Sequence, residues 1–221
     1  PMLVSIPSLR PEAALYTRNM VAGSTMFLHT LHDRLGEPQY TEAYKVDKPT
    51  AGWIRIVGRH TDSQSSQGGI DHDTDTQLIH FGTDIARWND DDDHRIHLGV
   101  MAAYGKSDTT ASSNDVRFTN NGIRRNANGS VEGYSVGIYG TWYGNGKLPE
   151  GPYIDAWAQY GWYDNTVEGN SLRKESYNSQ GWTASLEGGY AFILKDGQER
   201  QWMIEPQVQV AYNAYKDDSH I

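Results

Sequence analysis

Three stretches of this chain set carboxylates beside imidazoles: Asp71-His72-Asp73, the run from Asp90 to His94, and the run from Asp217 to His220. An aspartate next to a histidine can activate water as a general base. Carboxylates grouped with an imidazole can also hold a divalent cation. Either chemistry needs a shaped, partly dry surround, and the charge density of the three clusters, with few apolar residues beside them, does not supply one. They read as solvated turns, and no catalytic, cofactor or metal residue is assigned. No Gly-x-Ser-x-Gly, Walker-type loop or His-Glu-x-x-His segment is present either. The expectation is a protein that is not an enzyme and needs no cofactor. A surface hydrolase with an Asp/His site on its rim is the alternative.

The elements that carry these residues show a stronger signal. Tyr134, Val136, Ile138, Gly140 and Trp142 alternate with Ser135, Gly137, Tyr139 and Thr141. The pattern returns at Ile154, Ala156, Ala158, Tyr160 and Trp162, and again at Trp202, Ile204, Pro206, Val208, Val210 and Tyr212. Strict alternation over about ten residues is what a tilted strand needs to face lipid on one side and a wet lumen on the other. Seven such strands are expected, at about Gly52–His60, Gln77–Trp88, Arg95–Gly105, Glu132–Tyr143, Tyr153–Asn165, Gly181–Ile193 and Gln201–Asn213. Their connections alternate in length. Thr61–Thr76, Lys106–Val131 and Thr166–Gln180 are long, while Asn89–His94, Gly144–Gly151 and the Lys195-Asp196-Gly197 turn are short. Long loops on one side and short turns on the other describe an outer-membrane barrel. A mean hydropathy of -0.69 is no objection, since only every second residue of such a strand must be apolar.

Aromatic usage agrees. Tyrosine (14) and tryptophan (7) outnumber phenylalanine (4), as suits rings with one wet end at a membrane interface. On the lipid face, Tyr104, Tyr134, Trp142, Tyr160, Trp162, Trp182, Tyr190, Trp202 and Tyr212 fall toward strand ends. Parity turns Trp53 and Trp157 inward. Pro206 lacks a ladder donor, so a bulge or local edge is expected there. A net charge of -9 argues against nucleic acid as a partner. The absence of cysteine fits a chain that crosses an oxidising compartment. No basic segment followed by an apolar core opens the sequence, so a leader has been removed or this is the later part of a longer product.

Residues 9–36 differ in kind. Pro11 and Glu12 suit a helix start, Gly36 suits a stop, and Leu15, Met20, Phe27, Leu31 and Leu35 recur at near-helical spacing. One helix of about 25 residues within this range would be about 38 Å long, enough to thread a bilayer-height barrel. Its Arg18, His29, His32 and Arg34 suit a polar lumen. Parity lines that lumen with Arg55, Arg59, His80, Asp84, Arg95, His97, Asp155, Glu187, Glu205, Gln207 and Gln209. The candidate contacts between helix and wall are Arg18, His29, His32 and Arg34 on one side and Asp155, Glu187 and Glu205 on the other. Four parts follow: the end of a preceding segment or linker (1–8), a lumenal plug helix (9–36), a linker (37–50) and barrel strands (51–221).

Arg10-Pro11-Glu12, Thr25-Met26-Phe27 and Leu31-His32-Asp33-Arg34-Leu35-Gly36-Glu37 resemble the opening of the β-domain of autotransporters, type V secretion. The self-associating and diffuse-adherence adhesins of enteric bacteria are the nearest group. His97-Leu98-Gly99-Val100-Met101, Gly133-Tyr134-Ser135, Tyr139-Gly140-Thr141-Trp142-Tyr143, Asp164-Asn165-Thr166-Val167 and Thr183-Ala184-Ser185-Leu186-Glu187 continue the likeness over nearly the whole chain. The resemblance implies an all-β, antiparallel, transmembrane barrel of twelve strands with the N-terminal helix in its lumen. It implies a translocator that anchors in the outer membrane of a Gram-negative bacterium and exports its own adhesin-like passenger, a role in adhesion and virulence. The implied partners are outer-membrane lipid, the passenger, periplasmic chaperones and the β-barrel assembly machinery. Seven strands of twelve would leave an unfinished barrel with two open edges, held by a partner or completed by more chain. The family's terminal aromatic signal is also not matched by Ser219-His220-Ile221.

Overall fold

A computed structural model describes residues 11–35, 52–64, 69–90, 94–113, 125–145, 150–170, 172–196 and 201–217. Two short helices, α1 (Pro11–Thr25) and α2 (Leu31–Leu35), precede one antiparallel sheet. Its strands are β1 (Gly52–Ser63), β2 (Ile70–Asp90), β3 (His94–Ser113), β4 (Arg125–Tyr143), β5 (Gly151–Gly169), β6 (Leu172–Asp196), β7 (Gln201–Ile204) and β8 (Gln207–Asp217). Each strand from β1 to β6 pairs with the next in sequence, and both β7 and β8 pair with β6. The last two are halves of one crossing, interrupted at Glu205-Pro206, where the missing proline donor breaks the ladder. There the Tyr190 amide donates to the Pro206 carbonyl at 3.2 Å, beside a register shift between Ile193 and Lys195. The seven expected crossings are thus present as eight strands. Among the described residues, nothing pairs with the outer edge of β1 or of β8.

The strands are much longer than expected. β2 to β6 run 19 to 25 residues, about twice a bilayer crossing. Much of Thr61–Thr76, Lys106–Val131 and Thr166–Gln180, expected as loops, is strand that continues past the apolar band. Val131 pairs with Ser107 and Thr166 with Ser130 in unbroken register. The cause is a change of pattern rather than its loss. Beyond Tyr104 and Tyr134 the outward residues turn polar, while small apolar residues take the inward positions.

Below that change the faces are as parity requires. Ile54, Ile56, Val100, Val136, Ile138, Ile154, Leu186, Val208 and Val210 are exposed outward, while His80, Asp84, Asp155 and Glu187 are buried inward. Outward rings form two belts. In the upper one, Tyr134 stacks on Trp162 at 5.5 Å, and Tyr160 meets both Trp162 and Trp182. The lower one includes Trp88, Trp142 and Trp202. A bulge at Ile85, where Asp84 pairs Gly99 and Ala86 pairs Leu98, puts Asp84 and Arg87 on the same inner side.

The N-terminal segment lies against the inner face, touching β1, β3, β4, β5, β6 and β8. It is not the single helix expected over 9–36. α1 spans 15 residues, about 22 Å, and ends after Gly23-Ser24-Thr25. The Ser24 and Thr25 hydroxyls bond back to the Val21 carbonyl, competing with the next turn. Thr30 then starts α2 with reciprocal bonds: its amide donates to Asp33 at 3.0 Å and the Asp33 amide donates to its hydroxyl at 3.1 Å. The proposed parts 1–8 and 37–50 lie outside the described residues.

Candidate functional site: the lumenal segment and its cradle

The segment descends along β5. A side chain added at Gly169 would meet Glu12, and Asn19 donates to the Thr166 carbonyl at 3.1 Å. Phe27 stacks on Tyr163 at 5.9 Å, and its carbonyl accepts from Gln159 at 3.0 Å. His29 stacks on Trp157 at 4.4 Å, and Arg34 reaches Asp155 at 2.6 Å. Partner positions fall from 169 to 155 while the segment rises from 12 to 34, so its two ends lie at opposite ends of the sheet.

Its upper part is held by apolar packing. Leu15 is fully buried among Ala111, Ala127, Val167 and Tyr177; Met26 and Phe27 pack on Leu78, Ala103, Val131 and Tyr163. Burying each large side chain contributes about 1.5–3 kcal/mol. Close approach needs small wall residues. A Cβ at Gly129 would lie 2.8 Å from the Asn19 side chain, and one at Gly105 would lie 2.7 Å from the Met26 sulfur.

The lower part is held by polar groups. Arg34 donates to Asp155 at 2.6 Å and to Thr141 at 3.0 Å, and Thr141 itself donates to Asp155 at 2.6 Å. Both charged side chains are sealed from solvent, and the guanidinium lies 4.1 Å from the Tyr139 ring centre. The Leu31 amide donates to Glu187 at 3.0 Å, a carboxylate that also accepts from Tyr153. His32 Nε2 lies 3.0 Å from Glu205, and the His29 carbonyl accepts from Gln209 at 2.8 Å. Of the seven candidate contact residues, Arg34 pairs with Asp155 and His32 with Glu205, while Glu187 takes the Leu31 amide rather than a side chain. His29 meets Trp157 and Gln209 instead of a carboxylate. Arg18, near the upper end of α1 and within electrostatic reach of His72, bonds to none of Asp155, Glu187 and Glu205 among the described residues.

Other lining residues form a second network. Asp84 accepts from Tyr139 at 2.6 Å, from His97 Nδ1 at 2.8 Å and from Arg87 at 2.6 Å. Arg95 lies over the Tyr143 ring. Arg59 is exposed, near the free edge of β1. Sequence reasoning missed Asn19, Gln159, Thr141, Tyr139 and Tyr153. The four strand residues are inward and polar by parity, the one signal available for them, and Asn19 lies on α1, where parity says nothing.

The rim clusters do not converge. Asp71, His72 and Asp73 are consecutive strand residues, so His72 faces inward and its neighbours outward. Burial, with Arg18 nearby, holds His72 below its ordinary range. Outside the sheet, His60 lies 2.8 Å from Asp75, 3.5 Å from Asp73 and 3.7 Å from Asp62. Its bond to Asp75 and the charges of Asp73 and Asp75 raise its pKa. Ligand atoms of His60, Asp62 and Asp73 lie within 4.8 Å of one another, all on exposed side chains. Residues 91–93 and 218–220 of the other two clusters lie outside the described residues.

An apolar exterior, a polar interior in the lower half and a chain segment along the inner face suit an outer-membrane barrel, and the comparisons agree. Residues 52–220 match the family model described as the autotransporter β-domain. The chain belongs to the autotransporter β-domain family. Over 96% of its length it is 37% identical to the uncharacterized protein YdeU of Escherichia coli K12 and 29% identical to the Escherichia coli autotransporter adhesin AIDA-I. It spans 45% of the first relative and 16% of the second. The crystal structure of the AIDA-I transport unit superposes with a TM-score of 0.78 at 28% identity, covering 96% of this chain and 65% of that one. The β-domain of the Bordetella autotransporter BrkA shares the fold, with a TM-score of 0.57 at 23% identity, covering 76% and 59% respectively. As an autotransporter β-domain the chain resides in the bacterial outer membrane, its outward apolar rows against lipid.

Proposed function

We propose that this β-domain anchors in the outer membrane and exports an N-terminal, adhesin-like passenger to the cell surface, without catalysing a reaction. The end carrying the polar strand extensions faces outward and the end near Trp88, Trp142 and Trp202 faces the periplasm. The N-terminal segment occupies the lumen as a plug, fixed low by Arg34–Asp155, His32–Glu205 and Leu31–Glu187 and high by Leu15. Periplasmic chaperones and the β-barrel assembly machinery deliver the chain to the membrane.

The observation that carries this reading is the descent of residues 12–34 along β5. It puts whatever precedes Pro11 at the outer end and Arg34 at the inner one. The test is pore conductance of the full-length protein in planar bilayers, with and without residues 11–35. Deletion is expected to raise conductance several-fold; equal conductance would overturn the plug. Loss of protease-accessible passenger on whole cells, when the β-domain is deleted but the passenger is still made, checks export separately.

A further inference from the structure

Between its apolar upper part and its ionic foot, the segment places His29 in a buried cluster of rings. His29, His80 and Trp157 are 2%, 0% and 3% exposed. His29 stacks on Trp157 and meets His80 edge-on at 4.7 Å between ring centres, with Trp53 5.0 Å from His80. Arg34 and Arg55 lie within electrostatic reach of both imidazoles. Within this cluster, the buried nitrogens without a hydrogen-bond partner are His29 Nε2, both nitrogens of His80, Trp157 Nε1, Arg34 Nε and Nη1, and Arg55 Nη1.

Those atoms do not balance. His29 Nδ1 donates to the Phe27 carbonyl, which leaves Nε2 of the neutral ring as an acceptor. His80 supplies one donor and one acceptor. Indole and guanidinium nitrogens only donate. Five donor nitrogens thus face two acceptor nitrogens. Water brings donors and acceptors in equal number and leaves the surplus in place. A cation meets two guanidinium charges and few lone pairs. Asp155 Oδ2 is a further buried acceptor, but that carboxylate is already matched to Arg34 through Oδ1. Buried donors in excess beside fixed positive charge are complementary to an anion.

We propose that this cluster binds a small inorganic anion, chloride in the cell. It joins the lumenal segment, through His29 and Arg34, to β1 at Arg55, β2 at His80 and β5 at Trp157. The anion only accepts hydrogen bonds, and it complements the unpartnered Nη1 of Arg55, a guanidinium with Asp33 and Arg59 within electrostatic reach but no bonded carboxylate among the described ion pairs. The site fastens the middle of the segment, between its apolar upper part and its ionic foot, and it stands whether or not a passenger is exported.

The test uses full-length protein purified from outer membranes in detergent. Crystals grown in bromide are expected to show an anomalous peak within hydrogen-bonding reach of Trp157 Nε1 and His80. Replacing chloride with gluconate at equal ionic strength should lower the unfolding midpoint by about 2–4 °C for a site about tenfold above its dissociation constant. Trp157→Phe keeps a ring against His29, removes one donor, and should remove most of that anion dependence. Arg55→Gln is the second variant should the first not fold. Ordered water with no anomalous signal, or equal midpoints in chloride and gluconate, overturns the proposal.

Discussion

The upper and lower halves of this sheet are inside-out versions of one another. In the lower half Val100, Val136, Ile138 and Leu186 point outward and His80, Asp84, Asp155 and Glu187 point inward. In the upper half Lys106, Asp108, Glu132 and Asp164 are outward, while Ala111, Ala127 and Val167 enclose Leu15 and Val131 packs with Met26 and Phe27. The strands and their register run unbroken through the change. Backbone pairing is therefore indifferent to what lies outside, and the side chains record it: hydrocarbon against the lower half, water against the upper. The lumenal segment follows the same switch, apolar where the wall is apolar and ionic where it is polar.

The largest expected effect comes from the ionic foot. Asp155→Ala strands a buried guanidinium and should cost about 3–5 kcal/mol in denaturant unfolding of the reconstituted protein, much of it recovered by the double variant Arg34→Met/Asp155→Leu. The upper, exposed Lys106–Asp108 pair, at 2.9 Å, is the contrast: Asp108→Asn should cost less than about 1 kcal/mol. Similar costs at the two pairs would erase the distinction drawn between the halves.

Leu15→Ala should destabilise by about 2–5 kcal/mol, because Ala111, Ala127 and Val167 cannot close the cavity. Proteolysis of the N-terminal segment reads the same loss directly. A segment as resistant as in the unaltered protein would mean that the apolar upper contacts do not hold it.

Next come two substitutions on one strand and one face. Val136→Arg puts a charge in the lipid-facing row, at a cost of about 2–4 kcal/mol near the midplane. Ser130→Arg, six residues further up β4, should stay within about 0.5 kcal/mol. Equal unfolding midpoints in lipid would place the boundary between hydrocarbon and water elsewhere.

The smallest effect is a titration. His60 should titrate above its ordinary value of about 6.5, and Asp75→Asn should bring it down. A pKa raised in the folded state gives a contribution that is complete below the unfolded value and is lost as pH rises through the folded one. The NMR titration of the His60 ring protons measures it; a midpoint unaltered by Asp75→Asn would discount the Asp75 bond.

The lower half was legible because its alternation is between extremes, as with Val136, Ile138 and Trp142 against Ser135, Gly137 and Thr141. The upper half was not. Its inward Ala111 and Ala127 lie among Ser, Thr, Asn and Gly, a composition that also makes loops. The interruption of the helix at Met26–Thr30 was hidden because Phe27 and Leu31 keep the helical interval while Ser24, Thr25 and Thr30 do the breaking. Pro206 announced its own break. At the foot, parity and charge chose Asp155, Glu187 and Glu205 as wall residues. Nothing local could match Arg34 to Asp155 across 121 positions, or tell that Arg18 lies near the upper end, within electrostatic reach of His72.

The Met26–Thr30 joint gives the lumenal segment a mechanical character. Under tension from its outer end, α1 is a stiff rod and the ionic foot a fixed anchor, with five non-helical residues in series between them. Load applied at Pro11 is borne first in shear by Leu15 and Asn19, and only after the joint has straightened does it reach Arg34. Single-molecule pulling on Pro11 should therefore give two separated rupture events, and Asp155→Ala should lower only the second.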